Sequence, residues 1–360
     1  MKQKYQEDII LLITIILLLA IGLLFLYSTS EYNGRVKFDD SAYYLKKQLA
    51  ASVLGIIAMF LVSHLDYHWI AEKSLWLYLL AIALSTAVLF VGQEYNGSKR
   101  WLALGPLSFQ PSEFAKISVV VVLAYFISKT KRSLNKIGFM IISMLLILPL
   151  VGLVGTNNLS TAIIILGIGM VMIFVSYPGY LPFVWMGGIG VGVIVLFLSL
   201  ESYRLERLAV WRDPEAYDKG FQTIQGLYAI GSGGIFGKGL GNSLQKMGFV
   251  PEAQNDMIFS IICEETGLCG AILVLILFGF LIWRILVHAM HAPDLLGCLI
   301  CSGVLSHMAI QVILNVAVVT NTIPNTGITL PFISYGGTSV LFLLSELGLV
   351  LSVSRFHYGE

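Results

Sequence analysis

"IILLITIILLLAIGLLFLYS", residues 9–28, runs for twenty positions without a charged side chain. About 20 predominantly apolar residues are what an α-helix needs to cross the hydrocarbon core of a bilayer. Backbone groups there have no water to bond, so such a run closes its hydrogen bonds internally, as a helix. Working outward, nine further runs read the same way: 48–64, 74–92, 112–128, 139–155, 159–176, 180–199, 266–287, 296–319 and 335–353. Composition agrees, with 57% apolar and 12% charged residues among 360 and a mean hydropathy of +0.84. A transmembrane β-barrel would show short alternating segments instead. The prediction is an all-α integral membrane protein, one polytopic domain over residues 1–360 with ten transmembrane helices.

No small-residue cleavage site follows the first run, which therefore reads as an uncleaved span. An even number of spans puts both termini on one side. With the termini in the cytoplasm, the loop "SKTKRSLNK" (128–136) is cytoplasmic too, as the positive-inside rule favours. Arg35, Lys37, Lys46, Lys47, Lys99 and Arg100 then lie outside, against the rule. A net charge of +1 with no basic arm or face argues against a nucleic-acid partner. Cys298 and Cys301 have C-x-x-C spacing but lie inside "LLGCLICSGVL", where cysteine acts as a small hydrophobe.

Three segments break the apolar pattern. Residues 201–258, between the seventh and eighth spans, are too long for a tight connection, and such loops usually carry function. Tyr203, Trp211, Tyr217, Phe221, Tyr228, Phe236 and Phe249 predict that this one folds onto a face of the bundle. Its stretch "AIGSGGIFGKGLGNS" (229–243) fails the phosphate-loop pattern at Ser232 and Gly239, and the dinucleotide pattern at Phe236. Two readings stay open for it: a tightly turning loop, or backbone amides beside a lipid-linked phosphate.

The second segment is "NGSKRWLALGPLSFQPSEFAKIS" (96–118), with Lys99, Arg100 and Trp101 ahead of a helix start. Glu113 falls in that helix's first turn, where the dipole favours a carboxylate, and Lys116 follows on the same face. Such charges need internal pairing or a polar cavity. The third is "NTIPNTGITLPFISYGGTS" (321–339), free of charge yet rich in proline and glycine. Irregular backbone between spans is tolerated where it lines a cavity or is buried in protein. Ten-span topology puts 93–111, 201–258 and 320–337 on one side of the membrane, which predicts one site there.

"VPEAQNDMIFSIICEE" (250–265) then brings Glu252, Asp256, Glu264 and Glu265 to the foot of the eighth span. Together with "NGSKRWL", "FQPSEFAK", "YRLERL", "FQTIQGLYAIGSGGIFGKGLGNSLQK" and "TGITLPFISYGGTS", this stretch resembles the motifs of the SEDS family, whose branches are FtsW, RodA and SpoVE. The motifs keep the family's order and cover nearly the whole chain. "GNSLQK" and "GITLPF" are more similar to the FtsW/SpoVE branch. Two stretches depart from the pattern. Gln254-Asn255 stands where the family more often has His-Thr, and Asn158 of "TNNLSTA" stands where an Asp is often found.

The resemblance implies a peptidoglycan glycosyltransferase of the bacterial cytoplasmic membrane. Such an enzyme polymerises lipid II on the outer face beside a cognate class B penicillin-binding protein and other divisome or elongasome proteins. The family's essential acid falls on Asp256. Transfer from a lipid diphosphate needs a base for the attacking hydroxyl and positive charge or donors for the departing diphosphate. Lys99, Arg100, Lys116, Arg204, Arg207 and Lys246 are candidate cations, with Trp101, Glu113 and Glu252 as further substrate-site residues. A divalent metal ion is carried as a candidate cofactor. Each candidate also has a structural reading: Arg204 and Arg207 pairing with Glu206, Trp101 anchoring at the interface, Glu113 and Lys116 pairing with each other. A lipid II flippase and a scaffold of the division machinery are the alternatives.

Overall fold

The structure, a computed structural model, describes residues 8–95, 98–104, 107–130, 136–177 and 202–357, with isolated positions between 184 and 195. Among the described residues nine helices are long and apolar enough to cross a membrane. They are α1 (Ile9–Phe38), α2 (Tyr43–His64), α4 (Ser74–Val91), α5 (Pro111–Thr130), α6 (Lys136–Gly155) and α7 (Leu159–Ser176), then α10 (Ile258–Met290), α11 (Leu295–Val319) and α12 (Gly337–His357). Shorter helices are α3 (Tyr67–Glu72), α8 (Ser202–Arg212) and α9 (Phe221–Gly233). The predicted span at 180–199 falls mostly outside the described residues.

Caps set several boundaries. Asp8 accepts from the Leu11 amide at 3.1 Å and starts α1, and Asn158 accepts from the Thr161 amide and starts α7. Asn158 is thus a helix cap here. The eighth span is predicted to start at Thr266, yet α10 begins at Ile258 and kinks at Gly267 (φ 66°). The added turns bury Ser260, Glu264 and Glu265. Their polar side chains hid a helical segment from a hydropathy reading.

Residues 93–109 hold a second difference. They form a small antiparallel sheet, β1 (Gln93–Tyr95), β2 (Ser98–Leu104) and β3 (Leu107–Phe109), with Gln93 opposite Trp101 and Leu102 opposite Phe109. These strands are too short to carry a periodic signal of their own.

α5 lies at the centre, buried on every side from Val119 to Ala124, and packs against α4, α6, α7 and α11. α12 lies along α2, where small residues let backbones approach. A Cβ added at Gly348 would sit 2.6 Å from the Met59 carbonyl oxygen.

The bundle has two distinct ends. At one, Asp8 accepts from Arg284 Nε and meets His288 Nε2, each at 2.6 Å. At the other, the three irregular segments meet and are bonded together. Ser160 Oγ donates to Thr326 O at 2.6 Å, Thr338 Oγ1 to Ser108 O at 2.8 Å and Arg207 to Asn325 O at 3.2 Å.

The 201–258 segment folds back on α10, though by other means than its aromatics suggest. Trp211, Tyr217, Phe221, Tyr228, Phe236 and Phe249 are all exposed. Buried Ala229, Val250 and Ala253 pack the segment onto the core, the Trp211 indole donates to Asn321 O at 3.0 Å, and polar anchors add to these. Glu264 receives Lys238 Nζ at 2.6 Å, the Ser243 hydroxyl and the amides of Leu244 and Gln245. Amides of the glycine-rich stretch are likewise committed, Lys238 N to Glu264 O and Gly239 N to Glu265 O. They cradle protein acceptors, which favours the turning-loop reading over a phosphate.

Candidate active site at Asp256

Asp256 sits in the turn that feeds α10, and three other segments converge on it. Gln222, at the start of α9, donates through Nε2 to Asp256 Oδ1 at 3.4 Å and to Pro251 O at 3.2 Å. Asn325 Nδ2 donates in turn to Gln222 Oε1 at 3.3 Å. Asn315 of α11 donates through Nδ2 to the main-chain oxygens of Asp256 (2.9 Å) and Ile328 (2.7 Å). Gly327, at φ +70°, passes so close that a Cβ there would lie 3.9 Å from Asp256 Oδ2. A side chain at that φ would be strained.

Asp256 is partly exposed. Burial pushes its pKa up to about 6; the charge of Glu252 adds to the rise, while Arg207 and the Gln222 amide restrain it. A carboxylate in that range is a stronger base than an ordinary one and is still ionised at neutral pH. Glu252 adopts a left-handed backbone (φ 53°). It accepts from Asn255 Nδ2 at 2.6 Å and lies 3.8 Å from Lys37 Nζ of α1. The turn is fixed on its other side by Asn33, which donates to Gln254 Oε1 at 3.0 Å, and by the Tyr335 amide, which donates to Gln254 O. Gln254 and Asn255 thus hold the turn that carries Asp256.

A second polar group lies deeper in the bundle. Lys116 Nζ is 3.0 Å from Glu113 Oε1 and 3.3 Å from Gln311 Oε1, with its side chain only 2% exposed. Gln311 Nε2 donates to Thr329 O at 3.1 Å. His307 bridges Gln311 Oε1 (2.8 Å) and Glu346 Oε2 (2.6 Å). Gln311 therefore links this charged group to the same 325–330 segment that faces Asp256.

The remaining candidates are distributed around this centre. Arg207 reaches Asn325 O. Lys99, Arg100 and Trp101 lie on β2, where Arg100 Nε donates to Asn157 O and Asn157 Nδ2 to Lys99 O, each at 3.0 Å. A small cavity opens there beside Lys99, Arg100, Ser112, Asn157 and Asn158. Lys246 is not brought to Asp256; it is buried against Glu265 and Ser28, each at 2.8 Å. The Arg204 side chain lies outside the described residues. Among the described residues no group of three or more His, Cys, Asp or Glu side chains is placed to hold a metal ion.

Gln222, Asn315, Asn325 and the His307–Gln311 pair were not singled out from the sequence. A signal existed for three of them. His307, Gln311 and Asn315 interrupt an apolar run at intervals of four, a spacing that places polar groups on one helix face.

This geometry, a basic carboxylate bonded by the Gln222 amide at one end of a helical bundle, coincides with a family match along the chain. The pattern of the FtsW/RodA/SpoVE cell cycle protein family fits residues 8–359. The chain belongs to this family. Stage V sporulation protein E of Bacillus subtilis is 40% identical over 362 residues, covering 98% of each chain. A probable peptidoglycan glycosyltransferase FtsW of Trichlorobacter lovleyi is 32% identical over 97% of this chain and 93% of its own. Among solved structures, a chain of a peptidoglycan synthase complex that coordinates polymerization and crosslinking superposes with a TM-score of 0.81 at 29% identity, covering 99% of this chain and 100% of that one. The rod shape determining protein RodA of Thermus thermophilus superposes at 0.75 with 29% identity over 98% of both chains. This FtsW/RodA/SpoVE-family member is a multi-pass membrane protein, as ten apolar runs predict.

Proposed function

We propose that this protein is a peptidoglycan glycosyltransferase that polymerises lipid II at the outer face of the cytoplasmic membrane, with Asp256 as general base. The observation that carries this reading is a partly exposed carboxylate with its pKa raised to about 6, set at the end of a membrane bundle. Asp256 takes the proton of the acceptor sugar's hydroxyl as that oxygen attacks the anomeric carbon of the donor. The bond from that carbon to the diphosphate breaks, and the lipid diphosphate leaves with the electron pair. One base and a good leaving group suffice for inversion at that carbon.

Arg207, through its bond to Asn325 O, is the cation best placed beside Asp256 to meet the diphosphate. Lys99 and Arg100 border the neighbouring cavity and Lys116 is linked through Gln311 to the 325–330 segment; these are proposed to complete the charged wall, with Glu113 and Glu252 orienting them. Trp101 is proposed to pack on a sugar. The class B penicillin-binding protein partner is proposed from the synthase complex that the chain resembles. Lys116 is held between Glu113 Oε1 and the Gln311 amide oxygen of α11, which favours a fixed wall over the moving charges of a flippase pathway.

The test is purified protein with lipid II in detergent, where no membrane has to be crossed. Glycan strands from the wild type but not from Asp256→Asn support the reading. Wild-type yield from the variant removes Asp256 as the base, and no polymer from the wild type with its partner present rejects the enzyme.

A further inference from the structure

Inside the apolar α11, Gln311 and Asn315 are buried, at 2% and 0% exposure. A side-chain amide in a span costs free energy unless its hydrogen bonds are made. Both residues direct their NH2 groups at one short irregular segment. Gln311 Nε2 donates to Thr329 O at 3.1 Å and Asn315 Nδ2 to the neighbouring Ile328 O at 2.7 Å. Asn315 Nδ2 also donates to Asp256 O at 2.9 Å. Its own Oδ1 is buried with no hydrogen-bond partner. Asn315 therefore carries an unmatched acceptor while its NH2 group stays on two main-chain carbonyls.

Those two carbonyls belong to opposite walls of the site. One is on the turn that bears Asp256; the other is on the irregular segment whose Gly327 faces the Asp256 carboxylate. We propose that Asn315 is a positioning residue for glycosyl transfer: by tying the Asp256 turn to the segment at Ile328, it fixes the gap in which the acceptor hydroxyl meets the base. Gln311, one turn earlier, extends the clamp to Lys116. The inference rests on Asp256 being the base.

Two variants separate positioning from mere support. Asn315→Ser withdraws the amide. Asn315→Asp keeps its outline but turns a donor toward two carbonyls into an acceptor, and adds a negative charge beside Asp256. The groups that already act on Asp256 are Glu252 of its own turn, Arg207 of α8 and Gln222 of α9, with Lys37 of α1 against Glu252. In lipid II polymerisation, Asn315→Ser lowers kcat by about 100-fold, the scale of misplacing a catalytic group, while KM for lipid II moves by less than about threefold. Asn315→Asp shifts the acidic limb of the pH profile to higher pH. A readout independent of turnover is the infrared titration of the Asp256 carboxyl, isolated by difference against Asp256→Asn, which moves the same way.

Folded Asn315→Ser with wild-type kcat, or folded Asn315→Asp with an unshifted carboxyl, overturns the proposal. Where one variant fails to fold the other decides, and failure of both assigns Asn315 to structure alone. Asp256→Asn runs alongside. Activity in that variant defeats the base reading itself, whereas its loss beside a fully active Asn315→Ser defeats only the positioning role.

Discussion

Glu252 and Asp256 share one turn ahead of α10, and the charge of the first opposes ionisation of the second. Burial is the larger cause of the raised pKa, and Arg207 and Gln222 pull the other way. A base acts as its carboxylate, so polymerisation is low below pH about 6 and rises as the pH passes through that value. Glu252→Gln removes a repulsion and moves the rising limb to lower pH. Arg207→Gln removes an attraction and moves it to higher pH. Initial rates across the limb decide this; a Glu252→Gln limb that stays put or moves up sinks the electrostatic account.

The same shift has a consequence for stability. A carboxyl whose folded pKa lies above its unfolded value contributes stability at low pH that is lost as the pH rises through about 6. At neutral pH the wild type therefore holds an unfavourable charge that Asp256→Asn lacks. The variant loses polymerisation by ~100-fold or more, the scale of a general base. Its Tm at neutral pH equals or exceeds that of the wild type, and the gap narrows toward pH 5 or so. Thermal melts at two pH values check the sign. A variant less stable at neutral pH than at acid pH, relative to wild type, contradicts it.

Much of this was legible in the sequence because lipid imposes a simple code. Nine of the predicted spans appear as helices near their expected places, and Asp256 stood out as an acid at the foot of one. The parts that were not legible depend on pairing across the chain. Gln222 and Asn325 lie 103 positions apart and matter only because folding joins them. Glu264 looked like one more acid near Asp256, yet helical geometry carries it two turns down α10, into the anchor of the glycine-rich stretch. Lys246 was grouped with the substrate cations by charge alone, and folding buries it on Glu265 instead.

That anchor can be tested by itself. Glu264→Ala leaves Lys238, the Ser243 hydroxyl and two amides without their acceptor. Breaking a buried ion pair typically costs about 3–5 kcal/mol, here moderated because Lys238 is partly exposed. The loss is local, so residues 234–250 become protease-sensitive and exchange amide hydrogens faster, while helix cores of the bundle change little. Unchanged protection of that stretch means Glu264 does not anchor it.

Orientation is tested by labelling. Glu215 lies at the Asp256 end of the bundle and His291 at the other, and both are exposed. In a background without Cys263, Cys269, Cys298 and Cys301, a cysteine at position 215 reacts with an impermeant thiol reagent on intact cells. One at position 291 reacts only after permeabilisation. The reverse pattern puts Asp256 in the cytoplasm and ends the proposal of polymerisation outside.

Lys116 and Glu113 pair at 3.0 Å with side chains 2% and 8% exposed, which makes each single removal costly. Lys116→Met strands a buried carboxylate, and Glu113→Gln strands an ammonium whose remaining acceptor is Gln311 Oε1. Each single is expected to lose about 3–5 kcal/mol. The double variant removes both charges, and replacing a buried pair by uncharged groups of similar volume is often neutral. It should therefore recover most of the lost stability. Activity then separates the two roles. If the pair only joins helices, polymerisation returns with stability. If the ammonium lends its charge to the diphosphate through the wall formed by Thr329, polymerisation stays low in a well-folded double variant. We expect the second outcome, because Gln311 connects Lys116 to the segment that faces Asp256. Glycan yield from lipid II and Tm are measured on the wild type, both singles and the double, and full activity in a stable double assigns the pair to structure alone.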